Sequence, residues 1–218
     1  MENWQSAGKD FIYLLGVFFG DGSISKRTSN SYQFAFETID TDFVEKVLRC
    51  VTKLTGKTPS ICTRKRGANR NPTFYFSTCD KLYKEIYELT HGKQIIPDFI
   101  MNGTKETKQT FLMGCLDSDG WVARHHHKNG LKQFSMGYCK GASYINEIYK
   151  LMYDAGLQVG LPVAKQGKSG SIYWTIRINM QSWVRSGMQF SIERKNKRVE
   201  EYKLKWSKPQ RLYAKQEK

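Results

Sequence analysis

The chain has 218 residues, of which 39% are hydrophobic and 25% charged, a composition that excludes a disordered, collagenous or coiled-coil protein. Its 35 Lys and Arg against 20 Asp and Glu give a formal net charge of +15, which predicts a polyanionic partner, with nucleic acid favoured over an anionic membrane surface. The apolar runs are too short for a membrane span, the N-terminus lacks a signal-peptide pattern, and five scattered cysteines suggest neither disulfides nor a zinc site. We therefore expect an intracellular protein without a membrane partner.

An internal repeat organises the chain. Residues 11–22 form an apolar segment that ends in Gly20, Asp21 and Gly22, and residues 111–120 form a second such segment. At a constant offset of 98, the alignment of the two segments pairs Gly16 with Gly114, Gly20 with Ser118, Asp21 with Asp119, and Gly22 with Gly120. Two copies in register predict a duplicated fold.

The segments that follow keep the same order in both copies. Hydrophobic periodicity predicts, in the first copy, a helix at Leu14–Gly22, a strand at Tyr32–Thr38, a helix at Asp42–Leu54, strands at Ser60–Arg64 and Thr73–Thr78, and a helix at Lys81–Leu89. After a connection at Thr90–Lys108 and the second apolar segment, it predicts a strand at Gln133–Cys139, a helix at Ser143–Ala155, strands at Val159–Lys165 and Ile172–Asn179, and a helix at Met180–Gly187. We assign the coarse order α-β-β-α-β-β-α to each copy, which counts one further strand between the motif and the aromatic strand whose bounds the periodicity does not define. This is an α+β fold with two antiparallel sheets. We expect half-domains at residues 1–98 and 99–192, followed by a basic C-terminal helix or tail at residues 193–218.

Small residues four apart place Gly16 and Gly20 on one face of the first motif helix, and Gly114 and Ser118 on one face of the second. Such faces let two helices approach closely, which would make Asp21 and Asp119 neighbours. Two carboxylates at helix C-termini repel each other and oppose the helix dipoles, so a cation is expected between them. Carboxylate and carbonyl oxygens suit a hard divalent ion such as Mg²⁺. Gly22 and Gly120 are expected to supply the left-handed residue that ends each helix.

The two motifs, Leu14–Gly22 and Leu112–Gly120, resemble the two copies of the LAGLIDADG motif of the homing endonucleases. The resemblance implies a monomer whose two four-stranded sheets form a saddle on double-stranded DNA, with the motif helices as a central two-helix interface. It also implies a site-specific endonuclease that makes a metal-dependent double-strand break in a long target. Phe19 departs from the family pattern, in which this position is often acidic, whereas the second copy has Asp117.

The resemblance implies that Asp21 and Asp119 are catalytic metal ligands, with the carbonyls of Gly20 and Ser118 as further ligands. Mg²⁺ is the expected cofactor, with Mn²⁺ tolerated and Ca²⁺ bound without cleavage. The family places a shell of Lys, Arg or Gln near the metals to orient water. Candidates here are Lys140, whose rough counterpart in the first half is Asp40, and Arg177; either could instead contact a phosphate.

Side chains that read bases from strands in the major groove should be Arg, Lys, Asn or Gln. The predicted strands and turns are rich in them, although half of these residues could be solvated surface positions. The candidate DNA contacts are Lys26, Arg27, Asn30, Arg64, Lys65, Arg66, Asn69, Arg70, Arg124, His126, Lys128, Lys132, Lys165, Gln166 and Lys168. Which of them contact phosphates and which contact bases is left open.

Three alternative functions remain at this point. An intron maturase would bind host intron RNA with the same fold, a regulator would bind DNA without cutting it, and an intein-embedded nuclease would carry flanking splicing segments. Because both acids are present, and because the motif helix lies at the start of the chain, we expect a free-standing endonuclease that acts on intracellular DNA. A bifunctional protein would also retain both acids.

Overall fold

The structure, a computed structural model, describes residues 8–29, 31–65, 71–126, 132–141, 143–167 and 169–207. The first half consists of α1 (Lys9–Phe19), β1 (Ser23–Thr28), β2 (Ser31–Thr38), α2 (Thr41–Thr55), β3 (Cys62–Arg64), β4 (Thr73–Cys79) and α3 (Lys81–Leu89). After α4 (Asp98–Met101), the second half consists of α5 (Lys105–Asp119), β5 (Gly120–His126), β6 (Lys132–Lys140), α6 (Ile145–Asp154), β7 (Val163–Gln166), β8 (Ile172–Ile178) and α7 (Met180–Ser186), and α8 (Glu193–Ser207) follows. Across the described residues, the helices are too short or too polar to cross a membrane.

Two four-stranded antiparallel sheets form, with the strand orders β1-β2-β4-β3 and β5-β6-β8-β7. The predicted α+β fold with a duplicated unit is therefore confirmed. The register also corrects the expected counterpart of Lys140. Because Ser23 pairs with Ala35 as Trp121 pairs with Gly137, Lys140 corresponds to Thr38 and not to Asp40.

One face of each sheet is packed against helices and the other is open. Along β2, Tyr32, Phe34 and Phe36 are buried, while the alternate residues are only partly buried. In the second sheet, Met136 and Tyr138 are buried in the same way. Since successive side chains of a strand point to opposite faces, the register assigns every strand residue to the helix-covered face or the open face.

The helices α1 and α5 form the central interface at two glycines. A side chain on Gly16 would overlap the carbonyl oxygen of Phe111, and one on Gly114 would overlap that of Tyr13. The two backbones are thus in direct contact at this level, which only glycine permits. The contact brings the C-terminal ends of α1 and α5 together.

The expectation that Gly22 and Gly120 are left-handed is wrong. Neither has a positive φ, and Gly120 is extended because β5 begins at that residue. Both positions require glycine for a different reason, which is that a side chain would have no space there. A Cβ on Gly22 would lie 2.8 Å from the Phe34 ring, and one on Gly120 would overlap the Leu116 carbonyl.

The predicted connection at Thr90–Lys108 contains more structure than expected. It includes α4 and the first turn of α5, which begins at Lys105 because the Thr104 hydroxyl accepts a hydrogen bond from the Thr107 N–H and caps the helix. The motif helix of the second half is therefore longer than its sequence motif.

Replacing Gly16 with alanine tests the central interface. Gly16→Ala should lower the free energy of unfolding by about 1–3 kcal/mol, because the methyl group cannot avoid the backbone of α5. The measurement is denaturant unfolding followed by circular dichroism. Gly160→Ala is the matched control, since nothing lies within 4 Å of a Cβ built there. Equal stability of the two variants would contradict the backbone contact.

Candidate active site

The two motif acids, Asp21 and Asp119, lie close to each other because the C-terminal ends of α1 and α5 are adjacent. A Cβ built on Gly20 would overlap the Ser118 side chain and lie 3.3 Å from Oδ2 of Asp119. The ammonium of Lys140 donates to Oδ2 of Asp119 at 2.7 Å and to the Gly20 carbonyl at 3.1 Å. The second acid is thus adjacent to the backbone that leads into Asp21.

A second lysine enters from the segment after α3. Nζ of Lys93 donates to the Gly20 carbonyl at 3.1 Å and to the Gly22 carbonyl at 2.5 Å. Lys93 itself has a φ of 73°, a left-handed conformation that non-glycine residues seldom adopt and that often marks functional sites. Two ammonium groups from different elements therefore share one carbonyl oxygen at the end of α1.

Burial shifts the pKa values of the two acids and of the neighbouring Lys93 in opposite directions. Asp21 opens to solvent on one side, yet the surrounding protein removes enough water to raise its pKa to about 6, and the charge of Asp119 adds to this shift against the opposing lysines. Burial also raises the pKa of Asp119, although Lys140 opposes the shift. Burial lowers the pKa of Lys93 to about 8, and the positive charge of Lys140 adds to that change. Burial thus disfavours the charged forms of the acids and of Lys93 alike.

The oxygen donors at this place fit a hard divalent ion. Two carboxylates, Asp21 and Asp119, converge with the Gly20 carbonyl, which already binds cationic groups. Within the described part of the chain, His, Cys, Asp and Glu form no cluster of three or more suited to a metal. An ion here would therefore depend on two carboxylates completed by backbone carbonyls and water, which is a set that Mg²⁺ accepts.

Asp117 has a role separate from the paired acids. Its side chain is buried and accepts hydrogen bonds from the Tyr13 hydroxyl at 2.8 Å and the Ser191 N–H at 2.9 Å. At the pseudo-symmetric place, Phe19 packs edge-on against Phe111 at 5.5 Å between ring centroids. Where the motif has the apolar Phe19, the facing residue is the apolar Phe111, and where it has Asp117, the facing residue is Tyr13, which supplies a hydroxyl.

The open faces of the sheets carry some of the predicted DNA contacts. Register and contacts place Arg27, Arg64, Lys165 and Arg177 there, and Lys65 is exposed just after β3. Arg177 and Lys140 leave their sheet on opposite faces, because Arg177 pairs with Gly137 and Lys140 with Trp174. Of these two candidates for the catalytic shell, the structure places Lys140 at the acids and Arg177 on the open face of the sheet.

Other predicted contacts lie elsewhere. Lys26 stands opposite buried Tyr32, Gln166 lies on the face opposite Lys165, and Arg124 pairs with Glu201 of α8 at 2.8 Å on the helix-covered side. For His126 and Lys132 the structure describes the strand backbone only. Outside the described residues lie Asn30, Arg66, Asn69, Arg70, Lys128 and Lys168.

Two arginines on the first open face are held in place by neighbours. Nε of Arg27 donates to the Gln33 side-chain oxygen at 2.7 Å, and the Gln33 amide donates in turn to the Ser77 hydroxyl at 2.9 Å. The Arg64 guanidinium lies 3.6 Å from the Tyr75 ring centroid. Gln33 was missed in the sequence, although strict alternation along β2 places it on the open face.

Lys93 was also missed, and its sequence signal is weak. It lies in the connection between the halves, where periodicity predicts no element, and its contact with the Gly20 and Gly22 carbonyls depends on the tertiary path of that segment. Its role is visible only in the structure.

Comparison with curated proteins gives distant similarity. The chain is 22% identical over 191 residues to the ribonucleoside-diphosphate reductase NrdEB subunit alpha of Bacillus subtilis, covering 77% of this chain and 17% of that protein. The chain thus spans about a sixth of the length of that relative. It is also 25% identical over 208 residues to an uncharacterized protein of Methanocaldococcus jannaschii, covering 89% of this chain and 72% of the relative. No protein-family model matches the chain.

Solved structures define the class. The chain matches I-DmoI in complex with DNA and Mn, with a TM-score of 0.53, 14% identity, and coverage of 81% of this chain and 93% of that one. It matches the LAGLIDADG homing endonuclease I-SmaMI bound to cleaved DNA, with a TM-score of 0.56, 12% identity, and coverage of 89% and 88%. I-GzeII in complex with its DNA target gives a TM-score of 0.55 at 8% identity, with coverage of 90% and 91%.

These matches and the two-sheet topology define an α+β protein with paired motif helices. The chain has the fold of the LAGLIDADG homing endonucleases, and the resemblance of its two motifs is confirmed at the level of the fold.

Proposed function

We propose that the chain is a site-specific DNA endonuclease that makes a divalent-metal-dependent double-strand break in a long asymmetric target, as in intron homing. The observation that carries the proposal is the meeting of Asp21 and Asp119 beside the Gly20 carbonyl. Support comes from the structural neighbours, which are homing endonucleases in complex with DNA. With both motifs in one chain, a monomer would supply both acids for intracellular DNA.

The Asp21 and Asp119 carboxylates and the carbonyls of Gly20 and Ser118 would hold the ion, with Mg²⁺ as the physiological cofactor, Mn²⁺ tolerated and Ca²⁺ bound without cleavage. A bound divalent ion activates water and stabilises the charge that develops on the leaving oxygen. The ammonium groups of Lys93 and Lys140 lie beside the acids and add positive charge where a scissile phosphate would approach. Among the protein groups, the lysines would orient water and phosphate, and the acids would fix the metal.

The two open sheet faces would hold the duplex on either side of the acids. Strands can enter the major groove and present side chains to base edges. Arg27 and Arg64, each fixed by a neighbour, have the donors for guanine, whereas Arg177 and Lys165 would contact the other half of the target. At about 10 base pairs per turn, two such sheets would cover roughly two turns of DNA.

Amide substitution of either acid tests the catalytic assignment. Asp21→Asn or Asp119→Asn should reduce double-strand cutting in Mg²⁺ by a factor of at least about 100, because each removes a charged oxygen donor from the site. The substrate is a duplex selected from a randomised library by cleavage, with a chelator-treated sample as control. DNA affinity without metal should change little, as measured by fluorescence anisotropy.

The matched control for the acid variants is Asp154→Asn, which changes an ion-paired carboxylate at the end of α6. Full cutting by both Asp21→Asn and Asp119→Asn would disprove their catalytic role. Strong duplex binding without cutting by the unaltered chain would instead favour a DNA-binding regulator, and preferential binding of a host intron transcript would favour a maturase.

Neighbouring residues on β1 test which face of the sheet reads bases. Arg27→Ala should cost about 1–3 kcal/mol of binding and relax the sequence preference at one base pair, since Arg27 lies on the open face. Lys26→Ala, on the other side of the strand, should leave the preference intact. The measurement is the base preference of each variant in a competitive selection. An unchanged profile for Arg27→Ala would contradict this orientation of the sheet on DNA.

Salt dependence tests the electrostatic part of the interface. A protein that makes 6–10 phosphate contacts loses about 10³–10⁵ in affinity between roughly 50 and 200 mM salt through counterion release. A chain with a net charge of +15 should show a loss of this kind. Anisotropy titrations at several salt concentrations measure the slope. Affinity that stays constant over this range would argue against a basic surface that follows the duplex.

A further inference from the structure

Lys195, on the first turn of α8, is a buried lysine that contacts the second motif helix. Its side chain is 3% exposed, and Nζ donates to the carbonyls of Leu116 at 2.9 Å and Asp117 at 2.6 Å. Both carbonyls belong to the last turn of α5, whose final carbonyls have no N–H partner inside the helix, although that of Leu116 also accepts the N–H of Gly120, the residue that follows α5. The ammonium therefore binds the helix end two residues before Asp119.

A buried ammonium is costly, so its surroundings must compensate for the lost water. Burial lowers the pKa of Lys195 to about 8, whereas the negative charge of Asp117 works in the opposite direction. The Phe190 ring, 5.3 Å from Nζ, and the negative end of the α5 dipole also favour the charged form. A lysine suits this place because the end of α5 carries two acids.

The segment that carries Lys195 is fixed to both halves of the chain by other contacts. Arg194 makes two hydrogen bonds to Asp40, at 2.5 and 2.8 Å, and the Asp42 carboxylate accepts from the Glu193 N–H at the start of α8. The Ser191 N–H donates to Asp117 at 2.9 Å. The contacts of the residues next to Lys195 therefore fix the position of its ammonium group. The end of α5 is bound to an ammonium group whose position is already fixed.

In the first half, a different chemical group binds the carbonyl at the corresponding position of the motif helix. The carbonyl of Phe19, which corresponds to Asp117, accepts a hydrogen bond from the neutral Tyr144 hydroxyl at 2.9 Å. The lysine that follows the last helix of this half, Lys93, donates to the Gly20 and Gly22 carbonyls on either side of Asp21. The ends of α1 and α5 are thus supported by chemically different groups.

We propose that Lys195 is a positioning residue that holds the last turn of α5, so that Asp119 and the Ser118 carbonyl face the paired-acid site. It acts through α5 and not on the DNA, and it supports the Asp119 side of the paired-acid site, which would serve one scissile phosphate, more than the Asp21 side, which would serve the other. This inference rests on the proposed endonuclease function. Its consequence is that loss of Lys195 slows the cleavage of one DNA strand more than that of the other.

The test measures the cleavage rate of each strand of a duplex labelled on both strands, under single turnover in Mg²⁺. Lys195→Met, which keeps the length of the side chain without its charge, should slow one strand by about 10- to 100-fold, in line with small displacements of a catalytic group. The other strand should stay within about threefold, and DNA affinity without metal should be unchanged. Lys197→Met is the matched control, since Lys197 is an exposed residue of α8 paired with Glu193.

A second variant separates positioning from loss of the fold. Lys195→Gln retains a hydrogen-bond donor and should show a smaller bias of the same sign, with melting temperatures recorded for both variants. Equal slowing of the two strands, or rates that follow the melting temperature, would overturn the inference while the proposed function stands. An unaltered chain that cuts no duplex would overturn both.

Discussion

The contact between α1 and α5 at Gly16 and Gly114 is the constraint on which the rest of the site depends. Because the two backbones touch there, the helices cannot slide or separate without opening a gap between main-chain atoms. Their ends are therefore fixed relative to each other, and Asp21, which follows α1, and Asp119, the last residue of α5, are fixed with them. The geometry of a site that takes one acid from each half therefore depends on this single interface.

The same contact concentrates negative charge. Two helix C-termini and two carboxylates meet, which is unfavourable unless cations are near. Three lysines from different parts of the chain contact this region: Lys93 after α3, Lys140 at the end of β6 and Lys195 on α8. The fold thus balances the cost of assembling the acids with ammonium groups, while burial, followed by the charge of Asp119, still raises the pKa of Asp21 to about 6.

Sequence patterns predicted the duplicated fold well because hydrophobic alternation is strong, as in Tyr32, Phe34 and Phe36 on β2. The same patterns predicted the wrong reason for Gly22 and Gly120, since close packing by residues distant in sequence cannot be seen in a local motif. Lys140 was found as a charged residue at a strand end. The roles of Lys93 and Lys195 were not, because each depends on the path of an irregular segment across another element. Contacts of this kind are set by tertiary structure alone.

The asymmetry of the central interface has a physical consequence for how the halves pair. Tyr13 faces Asp117 through a hydrogen bond, whereas Phe111 faces Phe19 through ring packing. If two copies of the second half paired with each other, the same geometry would place each Asp117 against a phenylalanine and remove the hydroxyl that it now binds. The Ser191 N–H would still donate to Asp117, but loss of the hydroxyl, a hydrogen bond to a charged group, costs about 1.5–3 kcal/mol for each carboxylate. The interface therefore favours one first half with one second half, and an arrangement of unlike halves presents unlike open faces, as the proposed asymmetric target would require.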